Sequence, residues 1–347
     1  MLFVPLGAAL AWAGLGWRRT WLIGAAFSAV IEYAQLFVPG RSTSVADVCS
    51  NSLGALVGWG AIVVLARAAA RVERPPLRST LAASALFAGV VAFTGYILKP
   101  SFVDAPYFAM WTPPLAHLEW YRGHVVRASI ADMPLPSAQL ASTARFRQLF
   151  ANGAELDVRA IVGPPVQGIA PIFTIYDDVG REILLVGPDR ANDLVLRLRT
   201  RAASCLLDQP DLPALGALNG TRERDTLSIR VRSTGGAYDV RVNEDRRRLG
   251  FTAGQGWALL KYPESFPQIL RSLLDFAWLA GVALPLGFWG ASRRGLATAA
   301  VTIGIALGVL GPAAGLLATP PAQWVGAISG VLLGAATREF ALRRRRR

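Results

Sequence analysis

Five polar residues near the N-terminus carry the side chains best suited to chemistry: Glu32, Gln35, Arg41, Asp47 and Asn51. A carboxylate within an apolar segment is costly unless it has a partner or a function. Two carboxylates in unlike surroundings can have separated pKa values and act as general acid and base, so Glu32 and Asp47 are candidate catalytic residues. A guanidinium such as that of Arg41 can instead bind a phosphate or carboxylate through paired hydrogen bonds. The five residues therefore fit ligand binding or acid–base catalysis.

Two predicted helices must position these residues. The first has a polar face at i, i+4, i+7 spacing, formed by Ser28, Glu32 and Gln35. The second repeats the pattern with Asp47, Asn51, Gly54 and Gly58. Because only a short turn joins the helices, we expect antiparallel neighbours whose polar faces meet. The same residues can also serve only to fix helix pairing through hydrogen bonds, and Asp47 can serve only as a helix cap.

The composition predicts a membrane protein. Hydrophobic residues make up 53% of the 347-residue chain and charged residues only 17%. A spanning helix needs about 20 apolar residues, and the segments that qualify are approximately 2–17, 20–38, 49–67, 79–98, 269–290, 296–317 and 321–341. The net charge of +13 lies mainly in short loops and the C-terminal arginines, which is a topology pattern. No nucleic-acid partner is predicted.

The distribution of arginine predicts the orientation, since cytoplasmic loops are enriched in Lys and Arg. It assigns the C-terminus to the cytoplasm and the central region to the outside of a bacterial cytoplasmic (inner) membrane. Seven spans then leave Met1 outside, so we expect an additional helix upstream and eight spans in all. The predicted domains are a three-helix region (1–70), a fourth transmembrane helix (71–99), an extracytoplasmic domain (100–266) and three C-terminal transmembrane helices with a basic tail (267–347).

The central region is predicted to be an all-β sandwich of jelly-roll type. Leu227, Ile229 and Val231 alternate with polar residues, and Gly235-Gly236 turns the chain into a second alternating run, which is typical of a hairpin. Further short strands are predicted at 156–160, 172–176, 181–186 and 194–199, after a Pro-rich linker at 100–118. Asp177 and Asp178 fit a solvated turn better than a calcium site. Neither a metal nor another cofactor is predicted.

The N-terminal motifs occur in a recognisable order. They are Leu2-Phe3-Val4-Pro5-Leu6-Gly7, Glu32 with Gln35, Pro39-Gly40-Arg41-Ser42, and Asp47, Asn51, Gly54 and Gly58. Over about residues 1–68 this series resembles the VanZ-like family, named for a protein associated with reduced susceptibility to the glycopeptide teicoplanin. Ser44 stands where an acidic residue is common in that family. The resemblance implies a protein of the bacterial cell envelope.

The central region is similar to concanavalin-like or laminin-G-like sandwiches at residues 193–199 and at Val242-Asn243-Glu244. Such domains often bind glycans or proteins. Three functions are compatible with these features. The first is binding of a membrane lipid or lipid-linked cell-wall intermediate by the polar residues, with glycan or protein held by the sandwich. The second is a membrane enzyme acting on such a lipid, and the third, proton-coupled transport, ranks last because acidic residues occur only near one membrane face.

Overall fold

The computed structural model describes residues 3–35, 45–71, 77–115, 118–205, 207–260 and 266–346. The chain forms two compact units. The first, the N-terminal unit, comprises Met1–Pro76 with Ala335–Arg347, and the second, the main unit, comprises Leu77–Gly334.

Three helices and the end of a fourth make up the N-terminal unit: α1 (Val4–Trp12), α2 (Trp17–Gln35), α3 (Val45–Arg71) and the last part of α9 (Pro321–Arg346). With nine residues, α1 extends about 13 Å, less than half of the roughly 30 Å hydrocarbon core. By length and composition α3 qualifies as a membrane span. Trp12 stacks on Phe340, with ring centroids 5.4 Å apart.

Glycine sets the contact between α1 and α3. A Cβ added at Gly58 would overlap the carbonyl oxygen of Val4, and one added at Gly7 would overlap that of Ala55. The two backbones therefore touch, as small residues permit in membrane helices. The spacing of polar residues and glycines predicts that Gly58 lies against α2, and this prediction is wrong, since Gly58 faces α1.

The contact predicts a contrast between two glycines of α3. Gly58→Ala should destabilise the protein by about 2 kcal/mol or more, because the backbone of α1 must move away. A methyl group added at Gly60 would meet no atom within 4 Å, so Gly60→Ala should stabilise the helix slightly through its higher propensity. Melting temperatures in detergent check this contrast, and equal shifts for the two variants would contradict it.

The main unit contains four helices that qualify as membrane spans: α4 (Leu77–Ile97), α6 (Gln268–Trp289), most of α9, and α7 (Arg293–Ile305) continued by a π turn (Ala306–Leu310) and the short α8 (Gly311–Ala313). With α3 they give five candidate spans among the described residues. These five lie within the predicted set, and the spans predicted at 2–17 and 20–38 stay predictions.

A stripe of glycines brings α9 against α6. Cβ atoms at Gly326, Gly330 and Gly334 would each collide with a carbonyl oxygen of α6. Gly304 of α7 has open space around it, since a Cβ added there would meet no atom within 4 Å. Two hydrogen bonds between side chains and their neighbours join α4 to the other helices. Thr80 Oγ1 of α4 donates to the Trp289 carbonyl of α6, and Thr302 Oγ1 of α7 donates to Ser84 Oγ of α4, both at 2.9 Å.

Between α4 and α6 the chain forms two antiparallel sheets, which together we call the β domain. One sheet has the strand order β1 (Tyr107–Trp111), β5 (Phe173–Asp177), β6 (Glu182–Pro188), β7 (Leu194–Leu198) and β8 (Leu212–Ala214). The other has the order β11 (Asp245–Gly250), β10 (Ala237–Val242), β9 (Thr226–Thr234), β4 (Glu155–Ile161), β2 (His124–Ile130) and β3 (Met133–Pro134). Buried side chains of both sheets belong to one hydrophobic cluster.

The predicted hairpin is confirmed. Ile229 pairs with Val242 and Val231 with Val240, and the turn uses Gly235 and Gly236 at φ +65° and +105°, a region that favours glycine. The four other predicted strands correspond to β4, β5, β6 and β7. Burial alternates along β4, whereas β5, β6 and β7 are buried along almost their whole length and were visible as short apolar runs between turn residues.

Several elements of the β domain were not predicted, among them β1 and a helix. The segment 100–118 was expected to be a linker, yet it contains β1, which pairs with β5. Its prolines flank the strand, at Pro106 and Pro113, and so leave the ladder intact. Helix α5 (Thr143–Ala151) begins at Ser142, whose Oγ accepts a hydrogen bond from the Arg145 backbone N–H, and it buries Phe146 and Phe150.

The β domain lies directly on the ends of the helices of the main unit. A Cβ at Gly236, in the hairpin turn, would overlap the carbonyl oxygen of Gly315, just after α8. The Leu317 backbone N–H donates to the Phe251 carbonyl at 2.7 Å. A 3-10 helix (Ala253–Leu259) follows the last strand and is largely buried. Backbone contacts of this kind leave little freedom for the domain to tilt.

Candidate functional site

The N-terminal polar cluster is centred on the contact between α2 and α3. Asn51 Nδ2 donates a hydrogen bond to Ser28 Oγ at 3.1 Å, and Ser28 is fully buried. One turn before Ser28 on α2, a Cβ at Gly24 would lie 2.8 Å from the Cβ of Ala55. These contacts fix an antiparallel register, as the short connecting turn predicts.

Glu32 lies one helical turn beyond Ser28 on the same face of α2, and only 8% of it is exposed. Asp47 lies one turn before Asn51, in the first turn of α3, and is exposed. The antiparallel register therefore brings Glu32 and Asp47 to the same level of the helix pair. One carboxylate is buried and the other is open, and general acid and base residues often differ in surroundings in this way.

Two of the five predicted site residues lie partly or wholly outside the described residues. Gln35 ends α2, but its side chain is outside the described residues, as is the whole of Arg41. Their contribution to the site stays a prediction. Asp47 is compatible with a favourable interaction with the N-terminal end of the α3 dipole, a role that needs no ligand.

The polar stripe on α2 extends further towards the N-terminus of the helix than the predicted face of Ser28, Glu32 and Gln35. Thr20 is fully buried, and its Oγ1 has no hydrogen-bond partner among the described residues. Thr20, Gly24 and Ser28 follow i, i+4, i+8 spacing, so the repeat of small or polar residues was the available signal. Beside this stripe, Trp59 Nε1 donates to the Leu15 carbonyl at 2.9 Å and ties α3 to the α1–α2 connection.

A second polar cluster, which we call the docking cluster, lies where the β domain meets α6 and α9. Asp275 Oδ1 accepts from Trp257 Nε1 at 2.7 Å, and its Oδ2 accepts from Gln323 Nε2 at 3.1 Å. Gln323 Nε2 also lies 2.7 Å from Thr252 Oγ1, and its Oε1 accepts from the Gly254 N–H at 3.0 Å. Nothing in the local sequence marks Asp275 and Gln323 as partners, although an amide inside an apolar span is a usable signal.

A third cluster, which we call the buried charge cluster, crosses β5, β6 and β7. Arg197 Nε and Nη2 donate to Asp211 Oδ1 and Oδ2 at 2.5 and 2.7 Å, and Arg197 Nη1 lies 3.7 Å from Glu182 Oε1. Burial raises the pKa of Glu182, and the Arg197 guanidinium opposes that rise. Burial and the neighbouring Glu182 raise the pKa of Tyr176, whose hydroxyl donates to Glu182. The charged groups of the cluster contact one another within the domain, which fits a structural role.

The turn at Asp177 and Asp178 is held by hydrogen bonds within the protein. Asp177 accepts them from the backbone N–H groups of Val179 and Arg181 and from Arg181 Nε. Burial alone would raise the pKa of Asp177, but these bonds and the Arg181 charge outweigh it and lower the pKa. The predicted turn is confirmed, but it is buried at Asp177 rather than solvated. Among the described residues, no group of three His, Cys, Asp or Glu side chains is arranged to hold a metal ion.

Comparison with known proteins adds one finding. No curated protein and no solved structure matches the chain, so the similarity of the β domain to concanavalin-like sandwiches stays a prediction. Residues 1–66, which contain α1, α2 and most of α3, match the protein family described as VanZ/LLP1. The N-terminus of the chain therefore carries a VanZ-family domain.

Proposed function

We propose that this chain is an integral protein of the bacterial cytoplasmic (inner) membrane whose N-terminal polar cluster binds a lipid headgroup or a lipid-linked cell-wall component. The observation that carries the proposal is the nearly buried Glu32 beside the Ser28–Asn51 hydrogen bond. Ionisable residues at such positions are expensive and are usually functional. The VanZ/LLP1 match over residues 1–66 supports a role in the cell envelope, and the proposal extends to an effect on susceptibility to teicoplanin-type glycopeptides.

The proposal includes a topology. Seven segments cross the membrane, with the β domain outside and the C-terminus in the cytoplasm. Arginine supports this arrangement, because Arg18, Arg67, Arg78, Arg293 and the C-terminal run would then share the cytoplasmic face. The nine-residue α1 would cross only together with neighbouring segments.

The β domain is proposed to be a concanavalin-like jelly roll that contacts glycan or protein outside the cell. Its two antiparallel sheets with a common core support a sandwich. An open polar cavity of about 520 Å³ at one end is lined by groups able to bind sugar hydroxyls, among them Asn219, Thr221, Asp225 and Asn243. Amides and carboxylates of this kind supply both donors and acceptors.

Binding of a polyprenyl phosphate to the purified protein in phosphate-free maltoside micelles tests the role of the N-terminal polar cluster. Arg41→Ala should weaken binding by about tenfold or more, since a guanidinium forms charge-assisted hydrogen bonds with phosphate, and Glu32→Gln should change the affinity because it removes the buried carboxylate of the same cluster. Arg18→Ala is the matched control, because Arg18 is an exposed arginine at the opposite end of α2. Unchanged affinity in both cluster variants, with a wild-type melting temperature, would refute the proposal.

The alternative is a membrane enzyme that acts on a lipid-linked envelope substrate, with Glu32 and Asp47 as acid and base. The unequal exposure of these two carboxylates favours it as the second candidate. Glu32→Gln and Asp47→Asn should then abolish turnover and leave substrate binding intact. If the wild-type protein yields no product from a panel of envelope lipids that it binds, this alternative fails.

A further inference from the structure

A cavity of about 240 Å³ opens between the β domain and the first turns of α6. Its walls come from β8 and its flanks, from β11, from the 3-10 helix and from α6. The polar or charged side chains that line it are Arg248, Gln255, Gln268, Arg271, Ser272, Asp275 and Asp211. The space equals that of several water molecules, which is sufficient for a small polar headgroup.

The cationic part of the lining is Arg248 on β11 and Arg271 on α6. Arg271 Nε donates to the Phe266 carbonyl at 2.9 Å, which holds this side chain at the start of the span. Arg248 is exposed and forms no ion pair with any residue that the structure describes. Two guanidinium groups on separate elements therefore border one cavity, an arrangement suited to a phosphate.

The two carboxylates of the lining are already engaged. Asp211 is held by the two hydrogen bonds from Arg197. Asp275 accepts hydrogen bonds from Trp257 and Gln323. Arg248 therefore keeps its positive charge for an anion, and Arg271 adds a second guanidinium to the same lining.

The cavity borders an apolar surface of the kind that faces lipid. Helix α6 is long and apolar enough to cross a membrane. On its first turns Ile269 is 77% exposed and Leu273 is 59% exposed, and Leu260, at the end of the 3-10 helix, is 67% exposed. Apolar side chains exposed beside arginines at the end of a span mark the depth where lipid headgroups and acyl chains meet.

We propose that this cavity binds the phosphate of a membrane phospholipid through Arg248 and Arg271, with the acyl chains lying along Ile269 and Leu273. This site is separate from the N-terminal polar cluster and goes beyond the function proposed for it. Its premise is that α6 spans the membrane with this end at the headgroup region. A lipid held here would fill the space between the β domain and the bilayer.

Binding of dioctanoyl phosphatidylglycerol by the full chain in phosphate-free maltoside micelles tests the proposal. Two comparison compounds separate the contributions of the acyl chains and the headgroup to the affinity. Dioctanoylglycerol has the acyl chains without the phosphate, and glycerol phosphate has the headgroup phosphate without the acyl chains. The variants are Arg248→Gln and the double variant Arg248→Gln/Arg271→Gln. Arg246→Gln/Arg294→Gln is the control, because it removes the same charge at exposed arginines that do not line the cavity. All measurements are repeated in a Glu32→Gln/Arg41→Ala background, which isolates this cavity from the N-terminal polar cluster.

We expect the phospholipid to bind at least about tenfold more tightly than either comparison compound, and the double variant to lose about tenfold or more in affinity. Arg248→Gln alone, at an exposed strand position, should weaken binding by a smaller factor without affecting the fold. Equal binding by the double variant and the control would overturn the proposal. So would equal binding of dioctanoylglycerol, which needs no arginine, or of glycerol phosphate, which would indicate a site for soluble phosphate. Loss of binding in the Glu32→Gln/Arg41→Ala background would also overturn it and leave the function proposed for that cluster standing.

Discussion

Gln323→Leu is expected to destabilise the protein by about 3 kcal/mol or more, because one amide satisfies two buried groups and the half-buried carboxylate of Asp275. Its Oε1 accepts from the Gly254 N–H, and its Nε2 donates to Asp275 and contacts the Thr252 hydroxyl. Leucine fills a similar volume but leaves each of these groups without that partner, at a cost of about 1–3 kcal/mol per buried group. The melting temperature of the full chain in detergent gives the measurement.

Gln148→Leu is the matched control, since Gln148 is exposed on α5 and the same change of side chain should shift the melting temperature little. Gln323→Glu adds a second comparison. It retains the acceptor for Gly254 but places a carboxylate beside Asp275, so it should be destabilising as well. If the Gln323→Leu and Gln148→Leu variants have the same melting temperature, the docking cluster does not hold the β domain on the helices.

Arg197→Met is expected to cost about 3–5 kcal/mol, because it removes the guanidinium that two largely buried carboxylates contact. Asp211 and Glu182 have side chains only 3% and 18% exposed, and Arg197 is the cation that both of them contact. Arg145→Met is the control, since the Arg145–Asp132 pair is largely exposed and such pairs contribute at most about 1 kcal/mol.

The deficit of Arg197→Met should also depend on pH. Burial already raises the pKa of Glu182 in the folded protein, and loss of the guanidinium raises that pKa further. A raised carboxyl pKa means that the folded state holds the proton more tightly than the unfolded state. The destabilisation caused by ionised Glu182 is therefore largest above its folded-state pKa, and it disappears as the pH falls towards its unfolded-state pKa. Unfolding scans at pH 8 and pH 5 should show a smaller deficit at pH 5, and a pH-independent deficit would contradict this reading.

Local patterns predicted the elements whose neighbours lie close in sequence. Alternation at Leu227, Ile229 and Val231 identified the β9–β10 hairpin, and the four-residue spacing of polar residues brought Ser28 and Asn51 together across a short turn. Long apolar runs identified the candidate spans of α3, α4, α6, α7 and α9. In each case a single periodicity was sufficient.

Contacts between distant segments were not predictable in the same way. Whether Gly58 faces α1 or α2 depends on how three helices share their surfaces, and a GxxxG pattern does not specify its partner. Strand β1 was hidden because its flanking prolines are typical of linkers. The docking cluster joins a 3-10 helix to α6 and α9, so no local pattern indicated that Asp275 and Gln323 lie in contact.

The docking cluster also has a consequence for synthesis of the protein. Gly254 receives its hydrogen-bond acceptor from Gln323, which follows 69 positions later. When the ribosome has finished the last β-strand, the amide that secures the 3-10 helix has yet to be made and inserted with α9. Nascent chains that stop after α6 or α7 would keep Asp275 and the Gly254 N–H only partly satisfied. Completion of α9 therefore supplies the last hydrogen-bond partner of the docking cluster.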